Sequence, residues 1–224
     1  MNKRLGVLLI ITLFSAGHTW GQRTLSISTT LAPTLAHTNY GQRSFYPESE
    51  GQIVEPVFLD GSHWATGYGV GLSVLYTYAP GWSVSSGLWY EQMTTRQARQ
   101  PLAGEGTVAF QSRFLRIPLL LNYTSSAKRL SPYFSVGILT GFPVTSRVVV
   151  TRAGESTQHL RLHPLITRPV FQGLLGAGFQ YKLGDRYTCT VQPIWTYSFG
   201  QFGMARFHDT SFTFSLLTQI AYRF

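Results

Sequence analysis

Bulky apolar residues occupy alternate positions in several stretches of the chain. The clearest stretch is 211–224, where Phe212, Phe214, Leu216 and Ile220 are separated by mostly small or polar residues. A period of two residues is typical of a β-strand whose two faces meet different surroundings. Helical periodicity is nearly absent beyond the N-terminal region, so the pattern predicts an all-β protein.

Eight segments show this alternation. They are residues 23–33, 65–79, 82–93, 107–123, 132–144, 171–183, 187–199 and 211–224. Short connections, such as 80–81 and 184–186, alternate with long ones. The long connections are 34–64, 94–106, 145–170 and 200–210. This arrangement predicts an eight-stranded antiparallel up-and-down transmembrane β-barrel with short periplasmic turns and long extracellular loops, closed by pairing of the last strand with the first.

The two faces of the predicted strands differ in size and polarity. One face carries bulky apolar residues such as Tyr76, Leu119 and Ile220, which we expect to face lipid. The other face is small or polar, and its members are Gly67, Gly69, Gly71, Ser83, Ser85, Thr188, Thr190, Gln192, Thr213, Ser215 and Gln219. Eight strands leave an interior that side chains fill, so a diffusion porin is disfavoured.

Aromatic residues on the lipid-facing side cluster towards both ends of the predicted strands. Those near the short turns are Tyr76, Tyr78, Trp82, Tyr123, Tyr181, Tyr187, Tyr222 and Phe224. Those near the long loops are Tyr68, Tyr90, Tyr197, Phe199, Phe212 and Phe214. Two such belts are expected where a barrel crosses the two lipid–water interfaces.

The composition and the N-terminus point to export. Charged residues make up 12% of the chain and aromatic residues 14%, whereas soluble domains carry about 25% charged residues. Lys3 and Arg4 precede an apolar run at 5–16 and a small-x-small site at 19–21, which predicts a signal peptide at 1–21 and a barrel domain at 22–224. Because Cys189 is the only cysteine, an internal disulfide is excluded.

The segment 114–123, FLRIPLLLNY, resembles the strand motif of the PorT-like outer-membrane β-barrel family, commonly YLEIPLLLKY. The segment 131–142 and the stretches GLLGAGFQYKL and YTCTVQPIWTYSFG resemble the strands that follow in that family. The resemblance implies an outer-membrane location and a link to a protein-secretion system. Separately, the ending Tyr222-Arg223-Phe224 resembles the terminal signal read by the barrel-insertion machinery, so Tyr222 and Phe224 are expected to form that signal.

Two details of the sequence qualify this resemblance. The acidic residue usual in the first motif is Arg116 here, so no role of that carboxylate is carried over. Pro118 and Pro193 fall inside predicted strands, where proline removes a ladder donor. We expect a bulge or a local break at each proline.

Glu91 and Arg116 occupy inward positions on neighbouring predicted strands. A buried charge needs a partner, so we predict an interior polar network that also includes Gln180, Lys182 or Arg223. The alternative is that Glu91 and Arg116 lie at a wet mouth of the barrel.

Three other groups of residues were weighed for chemistry. His208, Asp209 and Ser211 combine base, acid and nucleophile, but neighbours on a strand alternate faces and the three do not converge. His159 and His163 lack a nearby carboxylate or cysteine to complete a metal site. The glycines at 173, 176 and 178 are followed by no helix that would receive a phosphate, so they indicate close packing. The sequence therefore predicts no catalytic residues, no metal and no cofactor.

The long connections carry most of the charge. The first contains Glu48, Glu50, Glu55 and Asp60, and the third contains Arg147, Arg152, Arg161 and Arg168. These charges would either draw the two loops together or let the arginines bind lipid phosphates. The predicted partners are outer-membrane lipid and lipopolysaccharide, the insertion machinery and secretion-system components, and not nucleic acid.

The leading hypothesis is a non-enzymatic barrel in the outer membrane of a Gram-negative cell, with a structural, adhesive or secretion-accessory role. One alternative is a barrel enzyme that acts on lipid A or peptides at the extracellular rim. Another is a secreted soluble barrel that binds an apolar ligand, which requires the bulky apolar residues to point inward.

Overall fold

The computed structural model describes residues 24–45, 57–98, 106–152, 158–162, 169–199 and 211–224. The predicted signal peptide lies outside these residues. The described strands are β1 (Thr24–Phe45), β2 (Val57–Ala79), β3 (Trp82–Ala98), β4 (Gly106–Thr124), β5 (Leu130–Arg152), β6 (Gln158–Leu162), β7 (Val170–Lys182), β8 (Tyr187–Ser198) and β9 (Ser211–Arg223). Within the described residues, no helix is long and apolar enough to cross a membrane.

Eight of these strands close into a ring. The order of pairing is β4-β3-β2-β1-β9-β8-β7-β5, and β4 also pairs with β5 to complete the circle. Every pairing is antiparallel, and β1 joins β9 over the register from Ser26↔Arg223 to Thr38↔Ser211. The predicted eight-stranded barrel, closed by its last strand, is therefore confirmed.

The pairings are staggered around the ring. Starting from Leu25 on β1 and stepping from partner to partner, the path returns to β1 at Leu35, ten residues further along. The partners on this path are Leu25, Tyr76, Val84, Leu121, Val136, Leu175, Trp195, Phe214 and Leu35. A stagger of this kind makes the strands tilt against the barrel axis, typically by about 35–45°.

The outer face of the ring is apolar. Tyr76, Leu119 and Ile220 are 41%, 61% and 51% exposed, and all the residues on the path above are exposed as well. The inward face is buried or half-buried at all the small and polar positions predicted for it. The soluble-barrel alternative required the opposite arrangement and is therefore wrong.

Several strands are longer than predicted. β1 and β2 pair as far as Phe45↔Val57, so 34–45 and 57–64, expected to belong to a long loop, are strand. The stretch 145–152 continues β5 and pairs with the short extra strand β6, which was also expected to be loop. The sequence does not predict these two strand extensions because their alternation of apolar and polar residues is weak. Such alternation is strongest where one face of a strand meets lipid and the other meets a packed interior.

Each of the two prolines inside strands interrupts the pairing with one neighbouring strand, and the register on both sides of the strand is unchanged. β4 keeps its pairing to β5 through Pro118↔Leu139 but lacks partners on β3 at this point. Likewise, β8 pairs with β9 through Pro193↔Leu216 and loses pairs on the β7 side. The prediction of a bulge or a local break at each proline is therefore confirmed, and in both cases the structure has the local break. A bulge occurs instead at Val144, where Phe114 pairs with Pro143 and Arg113 with Thr145.

Candidate functional site

The interior of the barrel contains a buried charge pair. Arg116 on β4 donates from Nη2 to Oε1 of Glu91 on β3 at 2.7 Å, and from Nη1 to Oε1 of Gln172 on β7 at 2.6 Å. All three side chains are buried. A guanidinium offers five donors in a fixed fork, so one arginine can hold two acceptors that lie on different strands. These contacts tie three strands together across the interior.

An apolar layer packs next to this charge pair. It takes one side chain from each of seven ring strands, and its members are Ala32, Trp89, Leu120, Leu139, Leu174, Ile194 and Leu217. The eighth ring strand, β2, provides Gly71 at the same level, where a Cβ would lie 2.2 Å from the Trp89 ring. The layer therefore spans the interior from all sides, with a glycine where the indole needs room.

The glycines of β2 are matched to bulky residues of β3. Gly67 pairs with Met93 and Gly71 pairs with Trp89, each on the inward face. A Cβ at Gly67 would lie 2.5 Å from the Met93 sulfur. The Gly-x-Gly-x-Gly run on β2 is thus the counterpart of the large side chains opposite it.

Hydrogen-bonded polar side chains fill the interior on the side of the short turns. Asn122 donates to the Ser85 hydroxyl at 2.9 Å and accepts from Ser135 at 2.8 Å. Gln192 joins this group by donating to Ser135 at 3.2 Å. The indole of Trp89 donates to Ser73 at 2.8 Å and links the polar group to the apolar layer. Satisfied networks of this kind make an interior rigid rather than open.

The free space beside the charge pair is small. A cavity of about 20 Å³ is lined by Glu91, Arg116 and hydroxyl side chains such as Thr30, Thr34 and Ser215. This volume is enough for about one water molecule, which such polar walls would bind. A larger apolar groove, of about 520 Å³, includes Leu121, Val136, Leu175 and Trp195 in its lining. Because these four side chains point outward, the groove faces lipid rather than the interior.

The residues of the predicted network lie in two separate parts of the barrel, the interior and the short-turn end. Glu91 and Arg116 are in contact, whereas Gln180 accepts a bond from Thr124 at 3.4 Å and Lys182 donates to the Ala127 carbonyl at 2.7 Å. Arg223 is exposed at the short-turn end. These three residues are too far along their strands to reach Arg116, which corrects that part of the prediction. The partner that was missed, Gln172, shares the inward parity of Gln180 on β7.

Tyr222 and Phe224 lie in the aromatic belt near the short turns. The two rings meet edge to face at 5.2 Å, and Tyr222 also packs on Tyr187 at 5.2 Å. The backbone N–H of Phe224 donates to the Leu25 carbonyl at 3.1 Å. On β3 and β4, at the same end of the barrel, Trp82 packs on Tyr123 at 4.7 Å. The role of the C-terminal residues as an insertion signal stays a prediction.

The residues weighed for chemistry do not form a site within the described chain. His208, Asp209 and His163 lie outside the described residues, and Ser211 starts β9 on the inward face, paired with Thr38. His159 is in β6, opposite Val149. No cluster of three or more potential metal ligands occurs among the residues described. Gly176 and Gly178 pack against β8 on the inward face, as predicted, whereas Gly173 faces outward against the Phe199 ring, which corrects the prediction for that glycine.

The predicted basic loop is partly a sheet. Arg147 on β5 pairs directly with Arg161 on β6, and Arg152 ends β5 opposite Gly106. Arg168 lies outside the described residues. Arg147, Arg152 and Arg161 therefore occupy strand positions at the long-loop end.

An apolar outer surface on a closed ring, with a filled interior, defines the molecule as a membrane-spanning β-barrel with eight ring strands. A family model described as "Outer membrane protein beta-barrel domain" matches residues 20–202. The chain belongs to this family, which places it in the outer membrane.

Solved outer-membrane barrels are similar to the chain over most of its length. Neisserial surface protein A shares 12% identity over 91% of this chain and 100% of its own, with a TM-score of 0.48. The attachment invasion locus protein of Yersinia pestis shares 13% identity over 91% of this chain and 100% of its own, with a TM-score of 0.40. OprG from Pseudomonas aeruginosa shares 14% over 88% and 95%, with a TM-score of 0.42. No curated protein shows a significant match.

Proposed function

We propose that this chain is a closed, non-enzymatic outer-membrane barrel that acts through its extracellular surface in a structural, adhesive or secretion-accessory role. The observation that carries the proposal is the apolar layer across the interior, to which seven ring strands contribute a side chain. In this proposal the layer and the buried pair of Glu91 and Arg116 together close the interior, and the cavity beside the pair measures only about 20 Å³.

The extracellular part of the barrel supports a role in contact with other molecules. β1, β2 and β5 contain 22, 23 and 23 residues, whereas a tilted strand needs only about 9–11 residues to cross the bilayer. The excess length extends beyond the lipid at the long-loop end. Paired strands hold their shape better than irregular loops, so they form a rigid platform for a partner.

The PorT-like resemblance favours the secretion-accessory role among these possibilities, because members of that family are linked to protein export. The enzymatic alternative depends on Ser211 together with His208 and Asp209, and only Ser211 lies among the described residues, on the inward face opposite Thr38. No contact among the described residues therefore favours the enzymatic alternative over the non-enzymatic role.

Planar-bilayer conductance tests the closed interior. The wild-type barrel should show no stable channels. A triple variant, Leu139→Ala, Leu174→Ala and Leu217→Ala, removes bulk from the apolar layer and should conduct ions. The matched control replaces three outward leucines, Leu119, Leu121 and Leu175, by alanine and should remain closed. Stable channels in the wild-type protein would refute the proposal.

A hairpin replacement tests the extracellular role. Residues 147–162, which contain the β5–β6 hairpin, are replaced by a short Asn-Gly turn, and the barrel is checked for heat-dependent migration on gels. If the extracellular surface is the working part, the variant should insert normally and lose cell attachment or cargo export. Retention of both activities by an inserted variant contradicts the proposed role.

A further inference from the structure

Three arginines project from the outer face of the barrel at the long-loop end. Arg96 on β3 and Arg113 on β4 share the outward parity of the lipid-facing residues on their strands. Arg147 on β5 faces outward because the bulge at Val144 shifts the alternation by one residue. We name them the arginine patch. Arg96 is exposed, and the other two are half-buried.

The register places like charges next to each other. Arg147 pairs directly with Gln111, whose neighbour two residues on is Arg113, so Arg113 and Arg147 are diagonal neighbours, about 7–8 Å apart. Arg147 also lies directly opposite Arg161 on β6. Like charges in opposed cross-strand positions destabilise a sheet. An anion bound between Arg113 and Arg147 would remove the repulsion between these two charges.

The patch has no acidic partner among the described residues. The only salt bridge recorded there joins Arg116 to Glu91 in the interior. Arg113 donates from Nε to Oε1 of Gln92 at 3.2 Å, which orients its guanidinium without neutralising it. The Nε atom of Arg147 is buried and has no hydrogen-bond partner in the described structure. This donor is therefore available to an anionic acceptor beside Arg113.

The position of the patch identifies the kind of ligand. One step towards the short turns from Gln92 and Arg113, the outer face carries Tyr90 and Leu115, and Phe142 follows on β5. These apolar and aromatic side chains mark the upper edge of the lipid-facing band. The patch therefore lies at the level of the headgroups in the outer leaflet.

We propose that the arginine patch binds the phosphate groups of lipopolysaccharide in the outer leaflet. Guanidinium groups bind phosphate through two parallel hydrogen bonds, and arginines on adjacent strands can hold one phosphate between them. The inference depends on the placement of the family in the outer membrane and is independent of the closed interior. It assigns a lipid site to the outer wall of β3, β4 and β5.

Native mass spectrometry of the detergent-solubilised barrel tests this site. The probe is bis-phosphorylated lipid A, compared with dephosphorylated lipid A that has the same acyl chains. The variant Arg113→Gln/Arg147→Gln should lower the lipid-bound fraction about tenfold, as expected for the loss of charge-assisted bonds. The control Lys128→Gln/Arg186→Gln removes two exposed charges at the short-turn end and should bind as the wild type does.

Each outcome decides the proposal. It is supported if the phosphorylated lipid binds more strongly than the dephosphorylated lipid, and if only the patch variant weakens binding. Equal binding of both lipids, or equal binding by the wild type and the patch variant, overturns it. Inorganic phosphate at matched concentration should leave the lipid complex intact, and its displacement of lipid A would refute a lipid site. Heat-dependent migration confirms that every variant is folded.

Discussion

The Nη2 atom of Arg116 and the Oε1 atom of Glu91 meet at 2.7 Å inside the barrel, away from solvent. Burial of either charge alone is costly, and the pair is stable only because each side chain compensates the other. Gln172 satisfies a further donor of the guanidinium. The free energy of unfolding should therefore fall most for single substitutions, because each leaves one buried charge without its partner.

Replacement of Arg116 by methionine should therefore destabilise the barrel by about 3–5 kcal/mol. The double variant Glu91→Leu/Arg116→Met removes both charges and should recover most of this loss. Urea unfolding in lipid vesicles, followed by tryptophan fluorescence, measures both changes in free energy. If the single and double variants lose the same free energy of unfolding, the two buried charges do not compensate each other.

A second prediction concerns the contact between Gly71 and Trp89. An alanine at 71 would place its Cβ 2.2 Å from the indole, so Gly71→Ala should cost about 1–3 kcal/mol through overpacking. Gly69 is on the same face of the same strand, and a Cβ there would lie 3.7 Å from its nearest neighbour. Gly69→Ala should therefore leave the unfolding free energy unchanged or slightly raise it. Equal effects of the two substitutions would show that the indole does not need this space.

The architecture followed from the sequence because lipid and a packed interior impose opposite demands on the two faces of each strand. Tyr76, Leu119 and Ile220 point outward for this reason, and the glycines of β2 point inward. Outside the bilayer the demands differ less, so the extensions of β1 and β2 carried no clear signal. The bulge at Val144 also reverses the parity of β5 and turns Val148 and Val150 inward, which a strict period of two does not anticipate.

The interior contacts were predictable only in part. Parity identified Glu91 and Arg116 as inward residues on adjacent strands, which is sufficient to predict that they meet. Parity gives no position along the barrel axis, and for this reason it does not distinguish Gln180 from Gln172 on β7. That choice requires the register between β5 and β7, which depends on the pairing Gly141↔Val170.

A charge on the lipid-facing surface separates a membrane barrel from a soluble one. Leu119 is among the most exposed leucines on the outer face, so Leu119→Arg should destabilise the inserted barrel by about 2–4 kcal/mol if it lies near the midplane. Ser125→Arg, at the exposed short-turn end, is the control and should have no measurable effect. Vesicle unfolding experiments compare the two variants. A harmless arginine at 119 would contradict placement of this face in hydrocarbon.

The C-terminal aromatic residue distinguishes assembly in the cell from stability of the folded barrel. The Phe224 side chain is 69% exposed, and its ring contacts Tyr222 at the surface. Loss of this ring should change the unfolding free energy by no more than about 0.5 kcal/mol, as for other surface substitutions. If the insertion machinery reads the ring, Phe224→Ala should nevertheless lower the fraction of heat-resistant barrel in cell envelopes. Leu183→Ala removes an exposed apolar side chain at the same end and serves as the control. Normal envelope assembly of Phe224→Ala, with refolding in vesicles also unchanged, would exclude the terminal ring as a signal.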